Sequence, residues 1–277
     1  MKPKSKRGKP FQQSAAGSRR SNRPETAEKE TSSATYGVLP VLELLRSGNR
    51  RIDRLLIAEG RRVNHFEEMT ELARRQNVRI DLCPIKTFTK YFEDGVNHQG
   101  VAAFSAAAGY YDTNKLIDEI VGKENSLCLI LDGVEDPGNL GAILRTAEGA
   151  GIDGVFIPER RAVGLTETVA KTSAGATEYV KVAKVKNVNH LIDDLKSSNI
   201  WVVGASGDSD STHSGWDWQR SCALVLGSEG KGLHRLTAEK CDVLVKIPMY
   251  GRIESLNVSV AAGVILFEAL RQREREK

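Results

Sequence analysis

The chain has 277 residues, 25 glycines and only 6% aromatic residues, which suits one large or two modest α/β domains with real cores. Its apolar runs are much shorter than the ~20 residues of a membrane span, and no secretory apolar segment follows its basic start, so we expect a cytoplasmic protein without a membrane partner. Its four cysteines are widely spaced and show no metal-ligand pattern, so we expect buried, reduced thiols and no metal site. These cysteines are Cys83, Cys128, Cys222 and Cys241.

Residues 1–34 are predicted to be a disordered basic tail, because they contain few apolar side chains. Residues 1–35 carry nine Lys or Arg and three Asp or Glu, a net charge of +6, whereas the whole chain carries +4, so the remaining residues sum to −2. Two interpretations of the tail stay open: it holds a polyanion such as RNA, or it is a solvated extension that promotes solubility.

Residues 35–107 are predicted to form a small α/β unit, with order beginning near Tyr36. Apolar periodicity and turn residues predict a helix over 36–48 that ends at Gly48, a strand over 52–60, a helix over 66–77, a strand over 78–84, a short helix over 86–95 and a strand over 100–106. This alternation is typical of βαβ layering.

Residues 108–122 are predicted to be a connector with a short helix, and residues 123–277 a second α/β unit. The run SLCLILDGV (126–134) is continuously apolar and ends in Asp-Gly, as expected for a buried parallel strand. Further strands are predicted over 154–159, 178–185, 200–207, 222–230 and 243–249, with helices over 139–151 and 187–199.

Two of the predicted helices have features that indicate where they begin or which face is apolar. The helix over 139–151 has Asn139 as its candidate N-cap. The last helix is predicted to begin at Leu256, and its 3.6-residue period places one row of apolar side chains on a single face. That row consists of Leu256, Val260, Val264, Phe267 and Leu270.

Three clusters follow strands of the second unit, at the edge where parallel α/β sheets bind ligands. The first, DGVEDPGNLGAILRTA (132–147), contains Asn139 and Arg145, and taken alone it is better interpreted as a helix cap and a surface arginine. The second, LVLGSEGKGLHRL (224–236), is a glycine-rich loop with Glu229. It matches neither the P-loop nor the dinucleotide-binding fingerprint, so taken alone it is a weak signal.

The third cluster, KIPMYGRIESLNVSVAAG (246–263), turns from a strand into the last helix. It places Glu254, Ser255 and Asn257 at the mouth of that helix, and the small residues after them indicate tight helix packing. Taken alone, it is a capped helix with a small-residue packing face. The three clusters together, in this order, form a much more specific pattern than any one of them.

In their residues and in their order along the chain, the clusters resemble the three motifs of the SpoU/TrmH family of RNA ribose 2′-O-methyltransferases, within the SPOUT superfamily. The segments that carry this resemblance are NLGAILRTA (139–147), LVLGSEGKGL (224–233) and IPMYGRIESLNVSVAAG (247–263). Two further segments, YGVLPVLELL (36–45) and NHQGVAA (97–103), resemble the front domain of the subgroup that methylates a guanosine of large-subunit (23S) ribosomal RNA. The resemblance covers roughly residues 36–277, with no departure at the motif positions.

The resemblance implies an α/β fold in which a C-terminal parallel sheet contains a deep trefoil knot and follows a small ribosomal-protein-like domain that binds RNA. It also implies a homodimer formed through the C-terminal domain. The loops of the knot would bind S-adenosylmethionine, largely through backbone groups. By motif position, the cofactor-binding residues would be Leu226, Gly227, Gly232, Ile247, Met249 and Leu256.

By the same resemblance, the catalytic residues would be Asn139, Arg145, Glu229, Ser255 and Asn257. Loss of the ribose hydroxyl proton must be assisted, and no histidine stands in the three motif segments. Arg145 matches the family arginine proposed for this role, although a guanidinium loses its proton only above pH ~12 and is therefore a poor base. It would therefore act with a substrate phosphate or stabilise the developing alkoxide. No metal is required, and the role of Glu254 stays open.

Two other classes of function compete with this hypothesis. A nucleotide-binding oxidoreductase is disfavoured, because the chain lacks the GxGxxG fingerprint and the acidic residue at the right offset. An RNA-binding ribosome assembly factor without catalysis is disfavoured by the complete set of motifs. Within the methyltransferase hypothesis, transfer RNA or another ribosomal site stays an alternative to 23S ribosomal RNA.

Overall fold

The computed structural model describes residues 32–60, 62–93 and 95–274. Nearly all of the predicted basic tail lies outside these ranges, so both interpretations of it stay predictions. The described chain contains two sheets, one of four strands and one of six. The small sheet comes first in the chain and the large sheet follows it.

The small sheet has the strand order β1-β4-β2-β3. Its elements are β1 (Ser32–Tyr36), α1 (Val38–Ser47), β2 (Ile52–Ala58), α2 (Phe66–Arg75), β3 (Arg79–Cys83), a short 3-10 helix (Ile85–Lys90) and β4 (Val101–Ala106). Strands β2 and β3 are parallel and are connected by α2, which confirms the predicted βαβ unit. Gly48 ends α1 with a φ of 61°, a left-handed conformation that glycine adopts without steric strain, as predicted.

Strand β1 is the element of this sheet that the sequence does not predict. Its residues, SSATY, are mostly small and polar, and they pair antiparallel with β4, from Ser32 opposite Ala106 to Tyr36 opposite Ala102. The strand therefore depends on a partner far away in the sequence. Such pairing leaves no periodic signal in a short local window, because strand preference follows the neighbours in the sheet.

The large sheet is parallel throughout, with the strand order β10-β8-β9-β5-β6-β7. Its elements are α3 (Thr113–Val121), β5 (Leu127–Asp132), α4 (Pro137–Gly149), β6 (Gly154–Pro158), α5 (Glu167–Thr172), a 3-10 turn (Ala176–Glu178), β7 (Val182–Val185), α6 (Val188–Ser197), β8 (Trp201–Ala205), β9 (Cys222–Gly227), α7 (Arg235–Lys240), β10 (Val243–Val245) and α8 (Val258–Glu274). Each predicted strand of this unit has a counterpart, which confirms the α/β fold class.

Helices cover both faces of this sheet, which explains why every residue of β5 and β9 is buried. On one face, α4 and α8 bury Leu140, Ile143, Leu144, Ala147, Ala262, Ile265, Leu266 and Ala269. On the other face, α3 and α6 bury Leu116, Ile120, Leu191, Ile192 and Leu195. The helix inside the predicted connector, α3, is thus packed into the core of the large sheet.

Three predicted details are corrected by the structure. Asn139 is not the cap of α4: the helix begins at Pro137, and the side chain of Asp136 accepts the backbone N–H of Asn139 at 2.7 Å. Proline is suited to the first helical position and aspartate to the cap before it, so this pair fixes the start two residues earlier. The strand predicted from residue 178 begins at Val182, after the 3-10 turn. The last helix begins at Val258 rather than Leu256.

The apolar row predicted on the last helix does share a face, but that face is not the one packed on the sheet. Val260, Val264 and Phe267 are 50%, 37% and 50% exposed in the single chain. The residues that α8 buries lie on its other side. This helix is therefore apolar on two faces, and periodicity alone does not distinguish them.

The two sheets are joined by a buried ion pair. Arg50, just before β2, donates to both carboxylate oxygens of Glu178, at 2.6 and 3.0 Å. Burial raises the pKa of Glu178, and the charge of Arg50 opposes that rise. In addition, the backbone N–H of Ala34 in β1 donates to Glu167 of α5 at 2.9 Å. The small sheet is thus held directly against the segment around α5.

Arg273, near the end of α8, ties this helix to the beginnings of two central strands. Its guanidinium donates to the backbone carbonyl of Trp218 at 2.7 Å, that of Arg220 at 2.9 Å and that of Ser126 at 3.2 Å. It also donates to the carbonyl of Asn125. One side chain therefore satisfies four main-chain acceptors that belong to two separate stretches of the chain, 125–126 and 218–220.

Replacing Arg273 with Ala is expected to lower the free energy of unfolding by about 2–4 kcal/mol, because carbonyls at a half-buried site lose a charged donor. The measurement is urea unfolding followed by circular dichroism. Arg271→Ala is the matched control in the same helix: among the described residues Arg271 pairs only with Glu268, at the surface, so a change of about 0.5 kcal/mol is expected. Equal effects of the two substitutions would contradict the role given to Arg273.

Candidate active site

The three sequence clusters meet at one edge of the large sheet. They follow the carboxyl ends of β5 at Asp132, β9 at Gly227 and β10 at Val245. Strands β5 and β9 are direct neighbours, and β8 separates β9 from β10. Because all these strands are parallel, the loops after them converge on the same edge, which is where α/β sheets place their ligands.

Asn257 brings the three clusters into contact. Its side-chain amide donates to Oδ1 of Asn139 at 3.0 Å and also to Oε1 of Glu229. These two acceptors come from the first and second clusters, and Asn257 comes from the third. We call Asn139, Glu229 and Asn257 the polar cluster. Glu229 and Asn257 are exposed in the single chain and Asn139 is half-buried, so a ligand has access to the cluster.

Asn257 also starts the last helix, and this fixes the orientation of its amide. Its Oδ1 accepts the backbone N–H of Ser259 at 2.9 Å, that of Val260 at 3.4 Å, and the hydroxyl of Ser259 at 2.6 Å. The carbonyl end therefore faces the helix, as in an N-cap, and the NH2 end faces Asn139 and Glu229. A single asparagine thus serves both as a helix cap and as the donor at the centre of the polar cluster.

The second loop is held in a closed shape that presents Glu229. Ser228 and Gly232 exchange two backbone hydrogen bonds, each of 3.0 Å, across the loop. Gly227 makes this closure possible: a Cβ atom there would lie 2.0 Å from the carbonyl carbon of Gly232. Gly230 and Gly232 have φ values of 78° and 64°, which glycine adopts without steric strain.

A contact between Asp132 and His234 links the first loop to the second, and sequence reasoning missed it. The Asp132 carboxylate is 6% exposed. It accepts the backbone N–H of His234 at 3.0 Å and lies 3.0 Å from its Nδ1. The signal was present in the sequence, as an aspartate at the end of an apolar strand and a histidine just after the glycine loop. The sequence gives no reason to pair Asp132 with His234, because the two residues stand 102 positions apart in the chain.

The two remaining predicted catalytic residues, Arg145 and Ser255, are exposed and lie outside the polar cluster. Arg145 is on α4, six residues beyond Asn139. Among the residues that the structure describes, its guanidinium makes no hydrogen bond or ion pair. A cation on the helix that carries Asn139, with none of its donors occupied, is suited to an anionic or developing negative charge.

The segment between β10 and α8, residues 247–256, holds three of the predicted cofactor residues: Ile247, Met249 and Leu256. Within the described ranges, neither its backbone nor its side chains form a hydrogen bond. Two of its large side chains are open, with Tyr250 98% and Ile253 71% exposed in the single chain, whereas Ile247 packs against the core of the large sheet. Free backbone donors and acceptors next to apolar surface are what a cofactor held through backbone contacts requires.

The remaining predicted cofactor residues stand on β9 and its loop. Leu226 and Gly227 are buried at the end of the strand, and Gly232 is exposed on the returning side of the loop. Because Gly232 packs against Gly227, these residues form one continuous backbone surface. The structure therefore groups the predicted cofactor residues into two loops at the same edge of the sheet.

The thiols lie away from this chemistry. Cys128 and Cys222 are buried, Cys83 and Cys241 are half-buried, and all four are free. Burial raises the pKa of Cys222 to about 11 and that of Cys241 to about 12, so both stay protonated at neutral pH. In the part of the chain that the structure describes, no group of three or more His, Cys, Asp or Glu is placed to hold a metal ion. None of the described helices combines the length and apolarity of a membrane span.

Comparison with known proteins identifies the class to which this fold and site belong. The profile of the SpoU rRNA Methylase family matches residues 126–267, and a profile described as RNA 2′-O ribose methyltransferase substrate binding matches residues 35–111. YacO of Bacillus subtilis, a TrmH family tRNA/rRNA methyltransferase, is 43% identical over 234 residues, which cover 84% of this chain and 93% of that protein. The chain belongs to the SpoU rRNA Methylase family, as its motifs predicted.

Further relatives agree with this assignment. A TrmH family tRNA/rRNA methyltransferase of Staphylococcus aureus is 43% identical over 223 residues, which cover 80% of this chain and 89% of that protein. The crystal structure of an AdoMet-bound rRNA methyltransferase from Sinorhizobium meliloti superimposes with a TM-score of 0.69 at 26% identity, covering 87% of each chain. The similarity extends over both sheets, which confirms the α/β fold with a parallel sheet behind a smaller front domain.

Proposed function

We propose that this protein transfers a methyl group from S-adenosylmethionine to a ribose 2′-hydroxyl of RNA, at a guanosine of large-subunit 23S ribosomal RNA. The observation that carries the proposal is the polar cluster: the three motif segments meet through Asn257. The helix of Asn139 also carries Arg145, which has no hydrogen-bond or ion-pair partner in the described chain. Family membership supports the reaction class. The description of the front-domain profile supports the ribose hydroxyl as acceptor.

S-adenosylmethionine would supply an electrophilic methyl group, and the residues present fit it. The free backbone of residues 247–256 and the closed loop at Gly227 offer main-chain donors and acceptors at the edge of the sheet. The two loops carry Leu226, Gly227, Gly232, Ile247, Met249 and Leu256, the residues proposed to hold it. The solved AdoMet-bound relative from Sinorhizobium meliloti supports this cofactor.

The residues of this chain would position the hydroxyl and stabilise its charge. A guanidinium is a poor base, so the proposed role of Arg145 is to stabilise the oxygen as negative charge develops, with its forked N–H donors. The polar cluster would fix the ribose relative to Arg145, because Asn257 holds Asn139 and Glu229 at set positions. Ser255, exposed at the same edge, is proposed as a further contact to the substrate.

A homodimer through the C-terminal domain is part of the proposal. The outward face of α8 exposes Val260, Val264 and Phe267, and the neighbouring segment exposes Tyr250 and Ile253. A contiguous apolar surface of this kind is typical of a subunit interface. It adjoins Leu256, so a second copy seated there would cover the cofactor edge of the site. The deep trefoil knot and a cytoplasmic location are proposed on family resemblance.

Three alternatives differ in what they predict about RNA. Transfer RNA is the first, because the printed names of the relatives cover both tRNA and rRNA. Another ribosomal site is the second. An assembly factor that binds RNA without catalysis is the third, and the assembled polar cluster argues against it. The front domain, with the segments at 36–45 and 97–103, favours ribosomal RNA of the large subunit.

Mapping ribose methylation in a strain that lacks the gene tests the proposal. We expect one ribose methyl mark in 23S ribosomal RNA to disappear and to return when the gene is restored. A restored copy with Arg145→Ala should leave the mark absent, which separates catalysis from binding. Loss of a transfer RNA mark instead would assign the alternative substrate. If every methyl mark persisted and the purified protein methylated no RNA, the assembly-factor alternative would replace the enzyme.

A further inference from the structure

A cleft lies where the small sheet meets α5, away from the polar cluster. Its volume is about 470 Å³, within the range of about 300–1,000 Å³ that is common for ligand sites. Arg62, His65 and Gln99 line it from the small-sheet side, and Lys171 of α5 lines it from the other. We call it the junction cleft. None of these residues belongs to the three motif segments.

The junction cleft is cationic. Lys171 donates to the backbone carbonyl of Asn97 at 2.6 Å and lies 4.5 Å from the ring centroid of Tyr36. Neither Lys171 nor Arg62 has a carboxylate partner among the described residues. Burial lowers the pKa of Lys171, because its charge loses hydration. An anion bound in the cleft would offset that loss.

The carboxylate that pairs with His65 of this wall is already engaged. Glu68 lies 3.4 Å from Nδ1 of His65, and it also pairs with Arg46 at 2.6 Å. Its charge is therefore shared between two basic groups. Glu59 lines the adjoining chamber with Arg62, but among the described residues it forms no ion pair with Arg62 or Lys171. The net charge that the cleft offers to a ligand is positive.

The shape of the junction cleft is preformed. Gln99 accepts the backbone N–H of Val38 at 2.8 Å, which joins the segment at 97–103 to the start of α1. Gly37 lies next to this hydrogen bond and has a φ of 96°. A Cβ atom at Gly37 would lie 3.3 Å from Oε1 of Gln99. The two front-domain segments that the sequence singled out thus build one wall of the cleft.

A second, more apolar chamber adjoins the cleft. Its volume is about 390 Å³, and it shares Arg62 and Val63 with the cleft. Phe66 and Leu82 line it and are 40% and 55% exposed. An exposed aromatic ring next to an unpaired cation is the combination that proteins use to hold an unpaired nucleotide: the ring stacks the base and the cation binds its phosphate.

The cleft is connected to the catalytic edge by the packing of α5 against α4. Thr172 follows Lys171, and its hydroxyl lies 3.3 Å from the carbonyl of Pro137, the first residue of α4. Gly141 permits this packing, because a Cβ atom there would lie 1.8 Å from the Thr172 hydroxyl oxygen. Asn139 stands between these two contacts on α4. A strand of RNA that occupies the cleft is therefore only one helix away from the polar cluster.

We propose that the junction cleft and its chamber bind one unpaired nucleotide of the RNA substrate that flanks the methylated one. Its phosphate lies beside Arg62 and Lys171, and its base lies against Phe66. This assignment rests on the proposed function, since it takes RNA as the substrate. It gives the enzyme a contact to RNA that the small α/β unit and α5 build together.

The test is the affinity for a short single-stranded RNA of mixed sequence, followed by fluorescence anisotropy across a range of salt concentrations. Arg62→Ala and Lys171→Ala are each expected to raise Kd about tenfold and to reduce the slope of log affinity against log salt by about 0.7. Phe66→Ala is expected to raise Kd about tenfold with the slope unchanged, because stacking releases no counterion. Arg75→Ala is the control, since Arg75 pairs with Glu71 at the surface of α2 and should leave both quantities unchanged.

Lys171→Arg keeps the positive charge, so the slope of log affinity against log salt should stay at the wild-type value. Thermal unfolding will show whether each variant is folded. If Arg62→Ala and Lys171→Ala behave like Arg75→Ala, the phosphate assignment is overturned. If Phe66→Ala leaves Kd unchanged, the base assignment is overturned. Failure of the proposed function has a different signature: the wild-type chain would bind no S-adenosylmethionine and methylate no RNA, whatever its RNA affinity.

Discussion

Arg145→Ala is expected to lower the rate constant of methyl transfer by about 10²–10³-fold, the loss typical when one donor to a developing oxyanion is removed. The physical reason is that Arg145 is a permanent cation with no partner in the described chain, so its charge is free to act on the ribose oxygen. Single-turnover methylation of saturating RNA with labelled S-adenosylmethionine measures this step. The affinity for the cofactor should stay unchanged, because among the described residues no hydrogen bond or ion pair joins Arg145 to the proposed cofactor loops.

The matched control is Arg235→Ala, which removes an arginine that pairs with Glu239 on the surface of α7. It should leave the rate within about twofold of wild type. Asn139→Ala is expected to lower the same rate constant, because the amide of Asn257 loses one of its two acceptors in the polar cluster. If Arg145→Ala and Asn139→Ala both methylate RNA at the wild-type rate, the catalytic assignment is wrong.

Gly227→Ala is expected to destroy the cofactor site and to lower the free energy of unfolding by about 3 kcal/mol or more. The added Cβ would stand 2.0 Å from the carbonyl carbon of Gly232 and 2.3 Å from the backbone nitrogen of Leu233. Both are main-chain atoms, so no side chain can rotate to remove the clash. The loop would have to open, which breaks the paired hydrogen bonds between Ser228 and Gly232.

Isothermal titration with S-adenosylmethionine and urea unfolding measure the two effects of Gly227→Ala. Gly207→Ala is the control, because a Cβ atom at Gly207 meets no atom within 4 Å. It should bind the cofactor like wild type and change the free energy of unfolding by less than about 1 kcal/mol. Normal cofactor affinity in Gly227→Ala would contradict the proposal that the closed loop forms part of the cofactor site.

The elements of the large sheet are predictable because their signals are local. The run at 126–134 is apolar throughout, since a central parallel strand is covered on both faces, and the structure buries every residue of β5. The end of α1 is predictable for a similar reason, because Gly48 takes a conformation that suits glycine. Where two local signals compete, the prediction fails: Asn139 and Asp136 are both good caps, and Pro137 decides for Asp136.

The candidate site is predictable in its residue types but not in its contacts. Asn139, Glu229 and Asn257 are named by motif position alone, yet their hydrogen bonds join residues that lie 118 and 28 positions apart. The contact between Asp132 and His234 spans 102 positions, and no neighbouring residue in the sequence indicates that the two meet. Only the order of the strands places these loops next to each other.

By itself, the sequence determined the α/β class, the parallel strands, the glycines that shape the loops, and the three motif segments that define the family. These features depend on neighbours within a few residues, which a short window of sequence contains. Tertiary structure alone decided which face of α8 is packed and which is open, that Asn257 connects three loops, and that Lys171 shares a cleft with Arg62. Each of these depends on which distant segments lie side by side, and that follows from the strand order of the folded sheets rather than from any local pattern.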